Sequence, residues 1–313
     1  MRLLTVTLPV YNARPYLPRA VDSILRQEFR DFRLVIINDG STDGSADYLN
    51  TLHDDRVMVI HQDNRGTGAT RNRCFDNCDT PFAAIMDADD ISLPARLGAQ
   101  LRFMQAHADV VLLGTQIAFL LGAKQWRTVP MPTAHAEIED QLLKGIVSIC
   151  NPTVMLRMDA VRNVGGYRIQ TTGEDFDFFL RMADVGKLAN LDAVLHLYRM
   201  HLGSSVATAY DLQRQGIAYA IACARARRTR QPEVTPQEFN AQWRRRGRLR
   251  QIAAALRGWS AMQYRKGLLA FGAGRRVRGV LHLLAAAACQ PGAAGRQISG
   301  RMQRRSKEPT YAS

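Results

Sequence analysis

Four apolar, β-rich runs recur at the start of the chain: "LLTVTL" (3–8), "FRLVIIN" (32–38), "RVMVIHQ" (56–62) and "FAAIMD" (82–87). Helix-like stretches separate them at 16–27, 45–53 and 68–76, and in the first of these Leu17, Ala20, Val21, Ile24 and Leu25 share one face. Strands of this length joined through single helices predict right-handed βαβ crossovers and a parallel sheet. Near-continuous apolar runs fit strands covered on both faces. In such sheets ligands collect beyond the carboxyl ends of the strands. There this chain keeps its polar clusters: "PVYN", "NDGSTDGS", "DNRGTG" and "DADD". The expected fold class is α/β, a Rossmann-like, mostly parallel sheet flanked by helices.

The fourth strand end says most about chemistry. Asp87, Asp89 and Asp90 fall within four residues, and like charges this close call for a cation. Capping the helix expected near Pro94 needs one acid, not three. Carboxylates grouped on a loop bind a hard divalent ion, with water and substrate phosphates filling its remaining positions. Taken singly, the other clusters have plainer readings. "NDGSTDGS" is also a turn with good capping residues in Asp43 and Ser45. "GTGATRN" (66–72) lacks the spacing of a dinucleotide fingerprint.

A chain of 313 residues can bury a full α/β core and still form a smaller second unit. Its five cysteines are scattered. Cys74 and Cys78 have no second pair downstream, which argues against structural zinc and for reduced thiols in a cytoplasmic setting. The opening "MRLLTVTLPVYN" is too short an apolar run for a signal peptide, and "VLHLLAAAAC" (280–289) is about half a membrane span. Charge is unevenly spread. Residues 201–313 hold 21 of the 42 Lys and Arg but four acids, 21 − 4 = +17, whereas residues 1–200 come to 21 − 24 = −3. The expected organisation is a catalytic domain at 1–205, a basic helical extension at 206–290 and a loosely ordered tail at 291–313.

"PVYNARPYLPRAVDSILRQEF", "LVIINDGSTDGS", "DNRGTGATRN", "AIMDADDISLPARL" and "GEDFDFFLRM" occur in that order over roughly residues 3–205. Together they resemble the GT-A-fold glycosyltransferases of family 2, inverting enzymes that use nucleotide-activated sugars. The resemblance implies that the backbone around Pro9 and the ring of Tyr11 line the nucleotide pocket. It gives Asp39 the base edge, typically the imide N–H of uracil, so that a UDP-sugar is the expected donor. Arg71 would reach the nucleotide, Asp87 would lie near the ribose and metal, and Asp89 would be the main ligand of the D-x-D motif. Asp90 would order the loop or cap the following helix. The implied cofactor is Mn²⁺ or Mg²⁺, which as a Lewis acid stabilises a departing diphosphate.

In "GEDFDFFLRM" the resemblance makes Asp175 the general base for the acceptor hydroxyl, with Glu174 helping to hold the acceptor; Asp177 is expected on the helix surface. In "LHLYRMHLGSSV", Arg199, His201 and Ser204 fit an R-x-H-x-x-S pattern that puts His201 near the metal or diphosphate, while His196 reads as structural. Asn151 stands where the family often has histidine. Gly165, Gly166 and Tyr167 are expected to shape the loop beside the acceptor. The Q-x-x-R-W of processive synthases is absent from the sequence, which implies one sugar per encounter. The implied acceptor is a glycan or lipid-linked glycan in cell-surface polysaccharide synthesis.

The last third reads as helices. "TPQE" (235–238) is a capping box with Pro236 at the first helical position. Leu249, Ile252, Ala253 and Leu256 share one face, as do Val277, Val280, Leu281 and Leu284. Two readings stand: helices packed on the catalytic domain or on a second subunit of a homodimer, or peripheral attachment to an anionic membrane, on its cytoplasmic side. Two rival functions use the same features. A haloacid-dehalogenase-like phosphatase also places D-x-D after an apolar strand, and a basic tail could bind nucleic acid. Sparse aromatics in that tail speak against a nucleic-acid partner.

Overall fold

The structure, a computed structural model, describes residues 2–122, 124–127, 130–168, 173–201, 210–245, 248–272 and 274–289. It opens with the expected alternation: β1 (Leu4–Val10), α1 (Leu17–Leu25), β2 (Phe32–Asp39), α2 (Ser45–Asn50), β3 (Val57–Gln62), α3 (Thr67–Asp76) and β4 (Phe82–Ile85). The four strands pair in parallel in the order β3-β2-β1-β4. Side chains alternate across the sheet as a two-residue period demands. Leu4, Val6, Leu8 and Val10 of β1, with Leu34 and Ile36 of β2, enter one core together with Leu17, Val21 and Ile24 of α1. Val35 and Ile37 turn to the opposite face and meet Cys74 of α3. Emptying one such position, Leu8→Ala for example, removes about 2–5 kcal/mol of stability.

Pro9 lies in a central strand, where a missing N–H is normally costly. Thr7 C=O accepts from Met86 N–H at 2.9 Å, so the odd-numbered residues of β1 face β4. Register ends with Thr7 beside Ile85, and Pro9 therefore falls beyond the last ladder bond on that side.

The chain continues through β5 (Ile91–Ser92), α4 (Arg96–Ala106), β6 (Val110–Leu121), β7 (Lys124–Arg127), α5 (His135–Leu143), β8 (Met155–Arg157), α6 (Met158–Val164), α7 (Glu174–Ala183) and β9 (Lys187–Arg199). The short β8 inserts antiparallel between β4 and β6. β9 runs parallel to β6 and antiparallel to β5. A second core forms from Ala83, Ile85, Leu112 and Leu156 of the sheet against Ile138, Val161, Phe178 and Leu180. Among the described residues four helices follow: α8 (Tyr210–Arg228), α9 (Pro236–Arg244), α10 (Arg248–Gly272) and α11 (Arg276–Cys289).

The chain forms two compact units. The first comprises Met1–Leu120, Gln125–Arg199 and Leu212–Ala241; the second comprises Leu121–Lys124, Met200–Asp211 and Gln242–Ser313. Most of α8 thus belongs to the first unit, where Ala220 and Ala224 join the second core. Two of its arginines form ion pairs: Arg227 with Asp184 and Glu233, and Arg228 with Glu139. Arg168 grips Glu233 through both terminal nitrogens at 2.6 and 3.2 Å. Glu233 is partly buried, but its bonds to Arg168 and Arg227 outweigh that burial and hold its carboxyl down to about 2. The Thr235–Glu238 capping box is formed, with Glu238 Oε2 accepting from Thr235 N–H at 2.9 Å and Glu238 N–H donating to Thr235 Oγ1 at 3.3 Å.

In the second unit α10 and α11 pack as a hairpin. A Cβ on Gly267 would lie 2.9 Å from Leu283, and one on Gly279 would lie 2.7 Å from the Phe271 ring. Ser260 Oγ donates to Ala286 C=O at 2.8 Å.

Candidate active site

The carboxyl ends of β1 and β2 are tied together by short polar side chains. Asn12 takes a left-handed φ of 47°. Its N–H donates to Ser41 Oγ at 3.0 Å, and its Oδ1 accepts from Thr42 N–H at 2.8 Å. Asp43 accepts from Arg14 N–H at 2.9 Å and from Ser45 N–H at 3.0 Å. The capping residues of "NDGSTDGS" thus fasten one loop to the next, and beside them the Tyr11 ring stays 55% exposed, open to a flat ligand.

Asp39 closes β2. Sheet register sets Gln62 next to it, and Gln62 Nε2 donates to Asp39 Oδ1 at 2.6 Å. The same oxygen accepts from Arg65 N–H at 2.8 Å, and Oδ2 accepts from Gly66 N–H at 3.1 Å. An ionised carboxylate has about four acceptor positions, so three bonds leave Oδ2 capacity for one more donor. Gly40 must be glycine: its φ is +71° and an added Cβ would lie 2.8 Å from Asn64 N. Gln62 was not singled out by sequence, because its role appears only once β2 and β3 are in register.

The charged centre is built around Arg71 of α3, whose side chain is 9% exposed. Its Nη1 donates to Asp175 Oδ1 at 2.8 Å and its Nη2 to Asp87 Oδ1 at 3.3 Å. Glu174 Oε1 stands 3.8 Å from Nη1. Residues 71, 87, 174 and 175, separate in sequence, therefore converge. With its amide oxygen turned to Arg71, Asn151 accepts from Nη2 at 3.0 Å and Nη1 at 3.3 Å while its amide nitrogen donates to Tyr167 Oη at 2.9 Å. That orientation follows from the hydrogen-bond network. The guanidinium also lies 5.4 Å from the centroid of the Tyr167 ring, which stacks on Phe178 at 4.4 Å. Asn72, the next residue, clasps the backbone of Tyr167 by donating to its C=O and accepting from its N–H, both at 2.8 Å. A Cβ on Gly166 would meet Asn72 Oδ1 at 2.5 Å, so a glycine is required there. Asn72, Asn151 and Tyr167 are the site residues that sequence reasoning undervalued; for Asn72 and Tyr167 the signals were "RN" (71–72) and "GGY" (165–167).

Electrostatics follow from burial against Arg71. Burial pushes the Asp175 carboxyl up to about 6, opposed by Arg71 and reinforced by Glu174 and Asp87. Its side chain keeps 35% of its surface open, enough for another molecule to reach it. Burial also raises Asp87, with Arg71 opposing and Asp89 reinforcing the shift.

Asp90 behaves differently. It is 1% exposed and accepts from Arg199 N–H at 2.7 Å and from His196 at 2.9 Å. His196 in turn faces Arg96 Nη1 at 3.4 Å through Nδ1. Burial, then Arg96, hold the imidazole well below its ordinary range, so the neutral ring donates from Nε2 and presents Nδ1 to Arg96. Arg96, fully buried, also binds Ile85 C=O at 2.7 Å, and Arg199 Nε binds Asp89 C=O at 2.6 Å. Asp90 therefore orders the loop; α4 begins after Ala95 without a side-chain cap.

The expectation for Asp177 is overturned. It is 1% exposed, with Arg181 Nε at 2.8 Å and Arg168 Nη1 at 3.5 Å, because the first turn of α7 packs inward against the Phe178–Tyr167 stack. Gly173 precedes that helix, and a Cβ there would come within 3.1 Å of Ile217 N in α8. Of the remaining expected site residues, Pro9 and Tyr11 are at the end of β1 and Asp89 is on the Asp87 loop. His201 groups with the second unit, whereas Arg71, Asp87 and Asp175 belong to the first. Ser204 lies outside the described residues.

Among the described residues no three His, Cys, Asp or Glu side chains stand together as a ready metal cage. The donor chemistry of the loop nonetheless fits a divalent ion. Burial raises both Asp87 and Asp90, and like-charge repulsion from Asp89 adds to it; the donors offered are hard oxygens, the preference of Mg²⁺ and related ions.

Residues 5–165 match the profile of Glycosyl transferase family 2. The chain is 31% identical over 209 residues to the putative glycosyltransferase EpsE of Bacillus subtilis, covering 63% of this chain and 72% of the relative. It is 25% identical over 218 residues, 69% and 84% of the two chains, to the Escherichia coli UDP-Glc:alpha-D-GlcNAc-diphosphoundecaprenol beta-1,3-glucosyltransferase WfaP. Among solved structures, S. aureus TarS 1–349 in complex with UDP-GlcNAc aligns with a TM-score of 0.63 at 14% identity, over 97% of this chain and 93% of that one. The Pyrobaculum calidifontis mannosyltransferase PcManGT, in complex with GDP-Man and Mn²⁺, aligns with a TM-score of 0.53 at 15% identity, over 96% and 80%.

Proposed function

The chain belongs to glycosyl transferase family 2, and from that premise we propose an inverting, one-sugar transfer from a nucleotide-sugar donor, first of all a UDP-sugar, to a hydroxyl of a glycan or lipid-linked acceptor in cell-surface polysaccharide synthesis. The observation that carries this reading is the convergence of Asp87 and Asp175 on one buried arginine, at the rim where β1, β2 and β4 end. Residues 1–205 are the proposed catalytic domain, 206–290 the basic helical extension and 291–313 its tail.

Each residue then has a task. Tyr11 offers its exposed ring to the base, beside the backbone of Pro9. Asp39 uses its remaining acceptor position for the base-edge N–H. Asp175 takes the proton of the acceptor hydroxyl as the oxygen attacks the anomeric carbon from the face opposite the diphosphate; the sugar–phosphate C–O bond breaks and the configuration inverts. A carboxyl raised to about 6 is still ionised at neutral pH and is a stronger base than an ordinary aspartate. Glu174 holds the acceptor. Arg71 orients Asp175 and Asp87 and lies within reach of the donor. Asp89, with Asp87, would hold Mn²⁺ or Mg²⁺, which would supply positive charge to the leaving diphosphate; His201, grouped with the second unit, keeps only the role that the R-x-H-x-x-S resemblance implies. The relative WfaP is named for a UDP-sugar and a lipid diphosphate acceptor, which supports both choices. Family membership leaves the phosphatase reading of the D-x-D segment without support.

The test is thermal stabilisation by UDP, GDP and CDP, each with and without Mn²⁺. A metal-dependent shift that is largest with UDP is expected; no shift with any of them overturns the reading. Asp175→Asn is expected to abolish transfer and keep the UDP shift, and a collapsed shift would remove Asp175 from the role of base.

A further inference from the structure

Helix α11 turns four of its larger apolar side chains outward. Val277 is 77% exposed, Leu281 61%, Leu284 62% and Val280 46%. At 3.6 residues per turn these four and Ala288 fall on one stripe roughly 100° wide, with Arg276 and Arg278 along its two edges. The opposite face holds α11 to α10 through Gly279, Leu283 and Ala286, so the stripe is not surplus core from that contact. On α10, Leu256 and Trp259 are 46% and 47% exposed, and Ser260, the neighbour of Trp259, contacts Ala286 near the end of α11. From residue 239 to 307 there are 16 Lys and Arg and no Asp or Glu.

We propose that the outer face of the α10–α11 hairpin docks on a bilayer carrying anionic lipid headgroups. The proposal deepens the lipid-linked-acceptor part of the function above and rests on it for its purpose. An apolar stripe bordered by arginines is the pattern of a helix lying in a membrane interface. The apolar side chains enter the acyl boundary, and the basic residues near the surface are drawn to the anionic headgroups. A second copy fits poorly, because a two-fold interface sets identical patches face to face and would bring basic residues together with no acid in that stretch to answer them. A nucleic-acid strand would use the arginines and leave the apolar stripe in water.

The full-length protein is sedimented with vesicles of phosphatidylglycerol and phosphatidylcholine, and with vesicles of phosphatidylcholine alone. Binding to the anionic vesicles is expected, weakened about tenfold or more by Leu281→Gln with Leu284→Gln and by high salt. Because both leucines are exposed, the double variant is expected to unfold at the wild-type temperature. Equal binding by the double variant, or no vesicle binding by the wild type, overturns the proposal. So does a dimer that the double variant dissociates, which makes a second copy the occupant. Polynucleotide binding in place of vesicle binding, with the leucine changes without effect, overturns it as well. The metal-dependent UDP shift is measured on the wild type and on the double variant: its absence from the wild type overturns the sugar-transfer reading whatever the vesicles show, and its retention in the double variant shows that lost vesicle binding belongs to the surface alone.

Discussion

The Arg71 centre and the α10–α11 hairpin treat the same two materials in opposite ways. Around Arg71 the charges are buried and answered: Asp87 and Asp175 on its two nitrogens, Asp90 by His196 and Arg199. In the hairpin Leu256, Leu281 and Leu284 face outward and basic residues stand without acids in the sequence around them. A desolvated charge is tolerable only with a geometrically fixed partner, so the first region is rigid by necessity. An exposed apolar stripe stabilises nothing in the isolated chain. Its contribution comes through what it touches.

The largest break in this contrast is Arg71→Ala. It leaves Asp175, Asp87 and Glu174 facing one another without their cation, and a loss of about 3–5 kcal/mol is expected, together with loss of transfer. Urea denaturation followed by a transfer assay checks both, and wild-type stability in this variant would mean the centre is solvated after all. Gly166→Ala comes next. It forces a methyl against Asn72 Oδ1 at a φ of +66°, and a loss of about 1–3 kcal/mol is expected, with transfer weakened because Tyr167 no longer seats Arg71.

The third prediction concerns pH. Asp175 is raised to about 6, so transfer is expected to rise through an acid limb near pH 6. Glu174 contributes to that elevation, and Glu174→Gln should move the limb to lower pH; a shift upward would contradict the charge ordering. For stability the sign is reversed. A carboxyl raised in the folded state binds its proton more readily there than in the unfolded chain, where about 3.9 applies. Between these values stability attributable to Asp175 falls as pH rises. The smallest expected effect is on the other side of the comparison. Leu281→Gln with Leu284→Gln should change the unfolding free energy by no more than about 0.5 kcal/mol, read by the same denaturation.

The first four strands and three helices were legible because each depends on a local period of two or of 3.6 residues. Where the ligand side of the sheet lies was legible for the same reason: polar residues cluster at one end of every strand. Asp177 was not. The apolar face of α7 was visible in Phe176 and Phe179, but an acid in a first turn is usually solvated, and its partner Arg168 precedes a break in the helical pattern. Nor was β8, whose three residues carry no period. The stacking of Tyr167 on Phe178 and its link to Asn151 and Asn72 joins segments up to 95 residues apart, beyond any local signal. The stripe on α11 was legible as a stripe, though such a pattern more often marks core; that Val277, Val280, Leu281 and Leu284 stay exposed was visible only in the structure.

The late arrival of β8 also bears on synthesis. Until residues 155–157 leave the ribosome, β4 is the outer edge of a parallel sheet with its hydrogen-bonding side unpaired, an invitation to pairing between nascent chains. Ile85 N–H finds its acceptor only in Val154. Truncations ending before that point should therefore be the insoluble ones, and a chaperone that guards this chain would have most to shield while the first half waits for a three-residue strand.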